Sequence, residues 1–379
     1  MGPLHGIRVI ELGAIGPGPF CCMLLADMGA EVIRVDRLEP ADLGSPADPK
    51  FNLLNRGKRS IAVDLKSPEG VKVVLRLIEK ADVLVEGFRP GVTERLGLGP
   101  ADCEAVNPRL VYGRMTGWGQ DGPLAQAAGH DINYIALAGA LGAIGTAERP
   151  AVPLNLVGDY GGGSMFLALG IVAALLESRS SGRGQVVDAA MVDGVSVLMT
   201  SLYATLARGA WRDGRGQNML DGGAPFYTVY ETKDGKHVAV GSIEARFFRE
   251  LLQRTDIDPA SVGPQHDRAH WPALRERLAE IFRTKTRDEW SSLMEGSDVC
   301  FAPVLSPPEA HQHPHMRARG SVVEIDGIAQ PAPAPRFSRT RSEVTGPPAL
   351  PGAHTLQVLE QFGFGSDEVA HLKAQGTVT

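Results

Sequence analysis

Cysteine is scarce in this 379-residue chain, and the four present (Cys21, Cys22, Cys103 and Cys300) form no C-x-x-C pair and no metal-ligand spacing. That pattern argues against a cysteine-based metal site and fits a reducing, cytoplasmic compartment. Positive charge is not in excess. Lys and Arg number 38 against 44 Asp and Glu, a formal net charge of −6, which removes the electrostatic footprint of a nucleic-acid binder and leaves only local basic groups to consider. The longest apolar run, residues 165–176, is short of the roughly 20 residues a membrane span needs. A strand begins almost at once, so no signal peptide is expected, and the final Thr-Val-Thr is not the peroxisomal tripeptide. No internal repeat is evident. What remains is a composition of 43% hydrophobic and 22% charged residues, that of an ordinary soluble globular protein long enough for about two domains.

The periodicity predicts α/β architecture. GIRVIEL at 6–12 reads as a buried strand, followed by the turn GAIGPGP, a helix FCCMLLADMGA and a second strand EVIRVDR at 31–37. Strands at 59–65, 82–88 and 109–115 follow, with Ser67-Pro68 opening the intervening helix. Alternating strands and helices imply a mainly parallel sheet covered on both faces. Beyond residue 200 a new unit begins with HVAVGS at 237–242, and Thr286-x-x-Glu289 has the form of a capping box. The Pro-, Ala- and Arg-rich stretch 303–350 reads as an extended surface linker, and Ser366-Asp-Glu opens a final helix. The expected division is a large α/β domain at 1–200, a linker at 201–224, a smaller α+β domain at 225–325, and a return linker and C-terminal segment at 326–379 packing on the large domain.

Several residues carry chemistry, each with a plainer reading beside it. Gly16-x-Gly18 between a strand and a helix, with Asp36 ending the next strand, is a partial dinucleotide fingerprint, but Cys21 takes the third glycine position. Basic residues gather near strand ends (Arg37, Arg56, Lys58, Arg59, Lys66, Arg89, Arg95), as phosphate ligands or as a solvated face. Asp159 precedes three glycines and an apolar helix. It is either a helix cap or a carboxylate facing a ligand, and the glycines favour close approach of a ligand. His130 opens a helix whose face carries Ile132, Ile135 and Leu137, a place where most lone histidines are structural. Glu244 falls in a helix first turn with Ser242 as cap, a place where a glutamate needs no other reason. His311-x-His313-x-His315 reads as loop, and no metal site is expected. Met115, Met191, Met199 and Met219 are either core filling, the commoner role at such spacing, or the lining of an adaptable apolar pocket.

Taken in order, GIRVIELGAIGPGPF, GKRSIAVDLKSPEG, FRPGVTERLGLGP, GHDINYIALAGAL, NLVGDYGGGSM, GRGQVVDAAMVDG and DGGAPFYTVYET resemble the landmarks of the family III, formyl-CoA-transferase-like CoA-transferases over nearly the whole chain. GHDINY resembles the α-methylacyl-CoA racemase branch, since transferases usually carry an aromatic residue where His130 stands. The resemblance implies a large Rossmann-like parallel-sheet domain with a smaller α+β domain, in an interlocked homodimer whose active sites are shared between subunits. It implies His130 and Asp159 as acid/base residues and Glu244 as the partner that orients His130. CoA would contact Ile15, Arg37, Val63, Asp64, Leu65, Lys66, Glu86, Gly87, Phe88 and Arg95, then Gly129, His130, Asp131, Ile132, Asn133 and Tyr134.

The expected reaction is 1,1-proton transfer between (2R)- and (2S)-2-methylacyl-CoA, in fatty-acid and lipid metabolism. It uses no metal and no cofactor beyond the CoA of the substrate, and N–H groups near Asp159 and Gly161 hold the enolate oxygen. Three alternatives remain open: CoA transfer with Asp159 as nucleophile, NAD-dependent oxidoreduction, and a catalytically inert CoA-binding regulator.

Overall fold

The computed structural model describes residues 1–39 and 48–379. The chain forms two compact units, one from residues 1–138, 154–199 and 317–379, the other from 139–153 and 200–316.

The first unit is built on a six-stranded sheet of β1 (Arg8–Leu12), β2 (Glu31–Asp36), β3 (Arg59–Ala62), β4 (Val83–Glu86), β5 (Val111–Thr116) and β6 (Gln185–Ala190), in the order β3-β2-β1-β4-β5-β6. Every pairing is parallel, and this is the doubly wound order whose direction reverses between β1 and β4. Side chains alternate across the sheet. Ile10 and Leu12 of β1, Leu84 of β4 and Tyr112 of β5 share one core with the helices Pro68–Ile78, Thr355–Gln361 and Ser366–Ala374. Val9, Val83, Val85, Val111 and Met115 share the other with the helices Pro17–Asp27 and Met165–Ser181.

The strands match the expected ones to within a few residues, while β6, with its first residues exposed on the sheet edge, has no counterpart in the sequence reading. The helical run Leu156–Ser181 spans 26 residues, longer than the apolar count suggested and enough by length and composition to cross a bilayer. Half of its most apolar window is buried within the protein, as in a core helix.

The second unit carries an antiparallel sheet of β7 (Tyr227–Glu231), β8 (His237–Gly241) and β9 (Phe301–Pro303). Phe226, Tyr230, Val238, Leu251, Trp271, Phe282 and Trp290 form its core. The capping box forms as expected: the Glu289 N–H donates to Thr286 Oγ1 at 3.2 Å, and the Thr286 N–H to Glu289 Oε2 at 2.7 Å.

The stretch 303–350 is not simply extended. Helices Pro307–Gln312 and Pro314–Ala318 carry His311 and His315, and His313 caps the first of them between the two, with its Nε2 paired to Glu295 at 2.8 Å. A hairpin of β10 (Val322–Ile325) and β11 (Ile328–Pro331) turns at Asp326 and Gly327, both at positive φ. Asp-Gly is the preferred pair for such a turn.

Candidate active site

At the carboxyl ends of β1, β4 and β5, where the strand order reverses, the first unit holds a cavity of about 450 Å³. Residues 15–18 after β1, 87–90 after β4 and 116–118 around the end of β5 form three of its walls. Residues 125 and 127–130, with Tyr134, Asp159 and Met191, complete it. Open α/β sheets bind ligands at this point because the loops diverge there and leave a crevice. His130 and Asp159, separated by 29 positions in sequence, line the same cavity.

Asp159 sits in the first turn of a π-helical segment, Leu156–Ser164, which passes directly into the helix Met165–Ser181. Such widened turns gather at functional sites because they re-aim a side chain without ending the helix. Two of the three following glycines are required by packing. A Cβ on Gly162 would lie 2.7 Å from Val195 Cγ2, and one on Gly163 2.9 Å from Met191 Cγ, so both let the helix Met191–Leu198 close on the π-helical segment. A Cβ on Gly194 would reach Gly162 O at 1.8 Å.

Two of the N–H groups beside Asp159 are committed to a side chain. The N–H groups of Gly158 and Asp159 both donate to Asp131 Oδ2 at 2.7 Å, and Asp131 is buried. A Cβ on Gly158 would be 2.6 Å from that oxygen, which requires glycine there. Among the described residues, the first turns of Pro17–Asp27 and Asp131–Leu137 have no side-chain cap, so their leading N–H groups lack intrahelical acceptors. In the former, Pro17 and Pro19 have none to give, so Gly18 supplies the free donor beside the cavity.

Burial pushes the Asp159 carboxyl above its ordinary range. The Asn155 amide, donating to Oδ2 at 3.3 Å, opposes this; the nearby Asp131 carboxylate adds to it, and His130 works against it. A carboxyl held this way gives and takes a proton more readily near neutral pH than an exposed one.

His130 is exposed and occupies the N-cap position of the helix Asp131–Leu137 through its backbone: its N–H donates to Asn133 Oδ1 at 3.0 Å and its carbonyl accepts from the Asn133 N–H at 2.8 Å. The imidazole is spared capping duty and faces the cavity. The face predicted for this helix is only partly buried, since Ile135 is inside while Ile132 and Leu137 are exposed. Tyr134 and Trp118 meet edge to face at 4.7 Å along the cavity wall. Burial raises the Tyr134 phenol, the Asp159 charge adds to this, and Arg89 opposes it.

Of the other positions expected to meet CoA, Ile15, Gly87, Phe88, Gly129 and Tyr134 line the cavity. Glu86 is buried, with Oε1 paired to Arg114 at 2.8 Å and Oε2 accepting the Phe88 N–H at 2.7 Å, so its carboxylate shapes the cavity wall from behind. Val63 bridges to Val378 and the Asp64 N–H donates to Thr377 O, which ties residues 63–64 to the C-terminal segment. Leu65 packs on the core, and Lys66 lies beyond them. Arg37 and Arg95 are exposed outside the cavity lining. Asp131, Ile132 and Asn133 lie behind His130 on its helix.

Three of the seven basic residues are structural. Arg56 is buried and forks onto Asp27 at 3.2 and 2.6 Å. Lys58 is buried against Glu11 at 2.6 Å, and Arg59 pairs with Glu31 at 2.7 Å. Arg89, by contrast, lines the cavity. Asp36 is buried with Arg34 on one oxygen and Ser60 on the other, both at 2.7 Å, so it is already satisfied without a ribose. Met115 and Met191 line the cavity; Met199 ends the helix Met191–Leu198, and Met219 packs on the core of the second unit.

Glu244 lies in the second unit and is itself the N-cap of the helix Ala245–Arg254. Ser242 is buried and donates to Val299 O at 2.6 Å, so the expected serine cap does not form. Among the described residues no cluster of His, Cys, Asp and Glu has the arrangement of a metal site.

The α-methylacyl-CoA racemases of Mus musculus and Homo sapiens are 46% and 44% identical to this chain, over 99% and 98% of it and 97% and 96% of their own lengths. The crystal structure of a CAIB/BAIF family protein from Brucella suis superposes with a TM-score of 0.83 at 26% identity, covering 95% of this chain and 99% of that one. The model of CoA-transferase family III matches residues 4–355, and the chain belongs to that family.

Proposed function

We propose that the protein interconverts (2R)- and (2S)-2-methylacyl-CoA thioesters by 1,1-proton transfer. The observation that carries this reading is the convergence of an imidazole and a raised carboxyl, His130 and Asp159, on one cavity. Identity to racemases over nearly the full chain supports it. The thioester acidifies the α-proton. One of the two groups removes it, a planar enolate forms, and the other returns a proton to the opposite face, with roles exchanged between enantiomers. The enolate oxygen would take helix-start N–H groups, Gly18 among them, in place of the N–H groups that Asp131 already holds. Met115 and Met191 would offer the acyl chain an adaptable surface. Arg37, Lys66, Arg89 and Arg95, the four of the seven basic residues not held in structural ion pairs, are cations that CoA phosphates could use.

The proposal extends to assembly and setting. Glu244 would orient the His130 imidazole from the second subunit of a homodimer, in a cytoplasmic enzyme of fatty-acid metabolism that needs no cofactor beyond the CoA of its substrate. The helix Met165–Ser181 supports a dimer, presenting Met165, Leu169, Val172 and Leu176 to solvent at spacings of four, three and four, an apolar stripe suited to a partner surface.

The deciding experiment incubates the protein with a single (2R)-methylacyl-CoA in D₂O without an acceptor acid. Loss of optical activity with α-deuterium uptake is expected. Absence of exchange, with CoA transfer appearing once a carboxylic acid is added, would assign Asp159 the role of nucleophile instead.

A further inference from the structure

The side chain that fixes Asp159 against the opposite wall of the cavity is Ser164, which no part of the sequence reading singled out. It is fully buried at the end of the π-helical segment. Its Oγ lies 2.7 Å from Pro17 O and 2.9 Å from Asp159 O. One hydroxyl proton therefore serves two carbonyls, one in the turn after β1 and one in the turn that carries the carboxylate.

The fit between the two walls leaves little slack. Gly16 sits at φ 69°, and a Cβ there would be 3.3 Å from Asp159 Oδ2. Phe20 stacks on Tyr160 with centroids 4.2 Å apart, closing the same seam beside the serine.

We propose that Ser164 is a positioning residue for the Asp159 face of the reaction; this rests on the reading of Asp159 as one of two acid/base groups. By bridging Pro17 and Asp159 the hydroxyl sets the distance between the Asp159 carboxyl and the Gly18 N–H. A substrate held at that wall then presents its α-carbon to Asp159 in one geometry. His130 is held by a different element, through Asn133 at the start of its own helix, so its proton transfers do not depend on Ser164.

The test is the partition of the enolate in D₂O. An enantiomer deprotonated by His130 either recovers deuterium from His130, which is exchange without inversion, or takes a proton from Asp159, which is inversion. Slowing the Asp159 step raises the exchange-to-inversion ratio for that enantiomer and lowers it for the other. In Ser164→Ala the two ratios are expected to move in opposite directions by about tenfold, since small misplacements of a reacting group cost tenfold to a hundredfold in rate. Ser164→Cys, which keeps the volume and a weaker donor, should shift both ratios less.

The ratios are taken per turnover, so a partly unfolded preparation does not change them. If the wild-type protein shows neither exchange nor racemisation, the racemase reading fails and the positioning role with it. If the wild type exchanges and both ratios are unchanged in the variants, whatever the overall rate, the positioning role alone is overturned.

Discussion

At the level of single residues, the two groups proposed to move protons are held in opposite ways. His130 is exposed and anchored only through its backbone, whereas Asp159 is partly desolvated and surrounded by fixed dipoles. Replacing His130 by Ala should lower racemisation in both directions by about 10²- to 10⁴-fold, the usual contribution of a general acid or base. The Asp159 side would still wash deuterium into one enantiomer, and CoA binding measured by calorimetry should be nearly unchanged. Loss of exchange in both enantiomers would count against two separate bases. Asp159 also ties activity to stability. Burial raises its pKa above the ordinary 3.8, so the folded protein binds more protons than the unfolded chain between that value and the raised one. Its contribution to stability is therefore fully present below 3.8 and is lost as pH rises through the folded-state value. Asp159→Asn should consequently raise the denaturation midpoint at pH 7, with the gain disappearing towards pH 4, while abolishing racemisation. A midpoint difference independent of pH would show that the carboxyl is not desolvated in the folded protein.

Among elements, the junction of the π-helical segment Leu156–Ser164 with the helix Met191–Leu198 decides where Asp159 stands. That junction rests on glycines that meet backbone. Gly194→Ala would set a methyl group 1.8 Å from Gly162 O, and overpacking of this kind typically costs about 1–3 kcal/mol. Urea titration should show a lower midpoint with an unchanged slope, and racemisation should fall along with it because the displaced backbone carries the carboxylate. This is also where local pattern reading reached its limit. Three glycines beside an acid suggest ligand approach when only the segment itself is considered; the helix they accommodate begins 28 residues after Gly163 and is invisible to a local pattern. The strands β1 to β5 were legible because buried parallel strands are continuous apolar runs. β6 was not, because its first residues are exposed on the sheet edge. The β10–β11 hairpin has its signal in Asp326-Gly327 between two short apolar segments, but the prolines of the surrounding stretch mask it. The basic strand ends misled for a different reason: Arg56 and Lys58 find their carboxylate partners 29 and 47 residues earlier in the chain, at separations that charge patterning does not span.

For the molecule as a whole, the sheet order places a cavity at its reversal point, and that much follows from alternating strands and helices alone. What the alternation does not convey is the surface the first unit leaves open. The helix Met165–Ser181 is apolar on all sides as far as Leu176. Leu167, Ile171 and Ala174 turn to the core, while Leu169 and Leu176 remain 67% and 69% exposed. A surface helix normally keeps charge on its outer face, so an outward leucine stripe leaves apolar area in water at about 25 cal/mol per Å² until a partner covers it. A homodimer in solution is the expected consequence, detectable by sedimentation equilibrium. In the double variant Leu169→Asp/Leu176→Asp, neither side chain supports the first unit's own core, so its fold should survive by circular dichroism. Carboxylates forced into an apolar interface would leave two unpaired charges in each subunit, and dissociation by at least a hundredfold in Kd should follow. If the proposed active site takes Glu244 from the second subunit, racemisation should decline in step with the monomer fraction and return on concentrating the protein. A variant that is monomeric yet fully active would place the acid/base machinery within one chain and detach the stripe from catalysis.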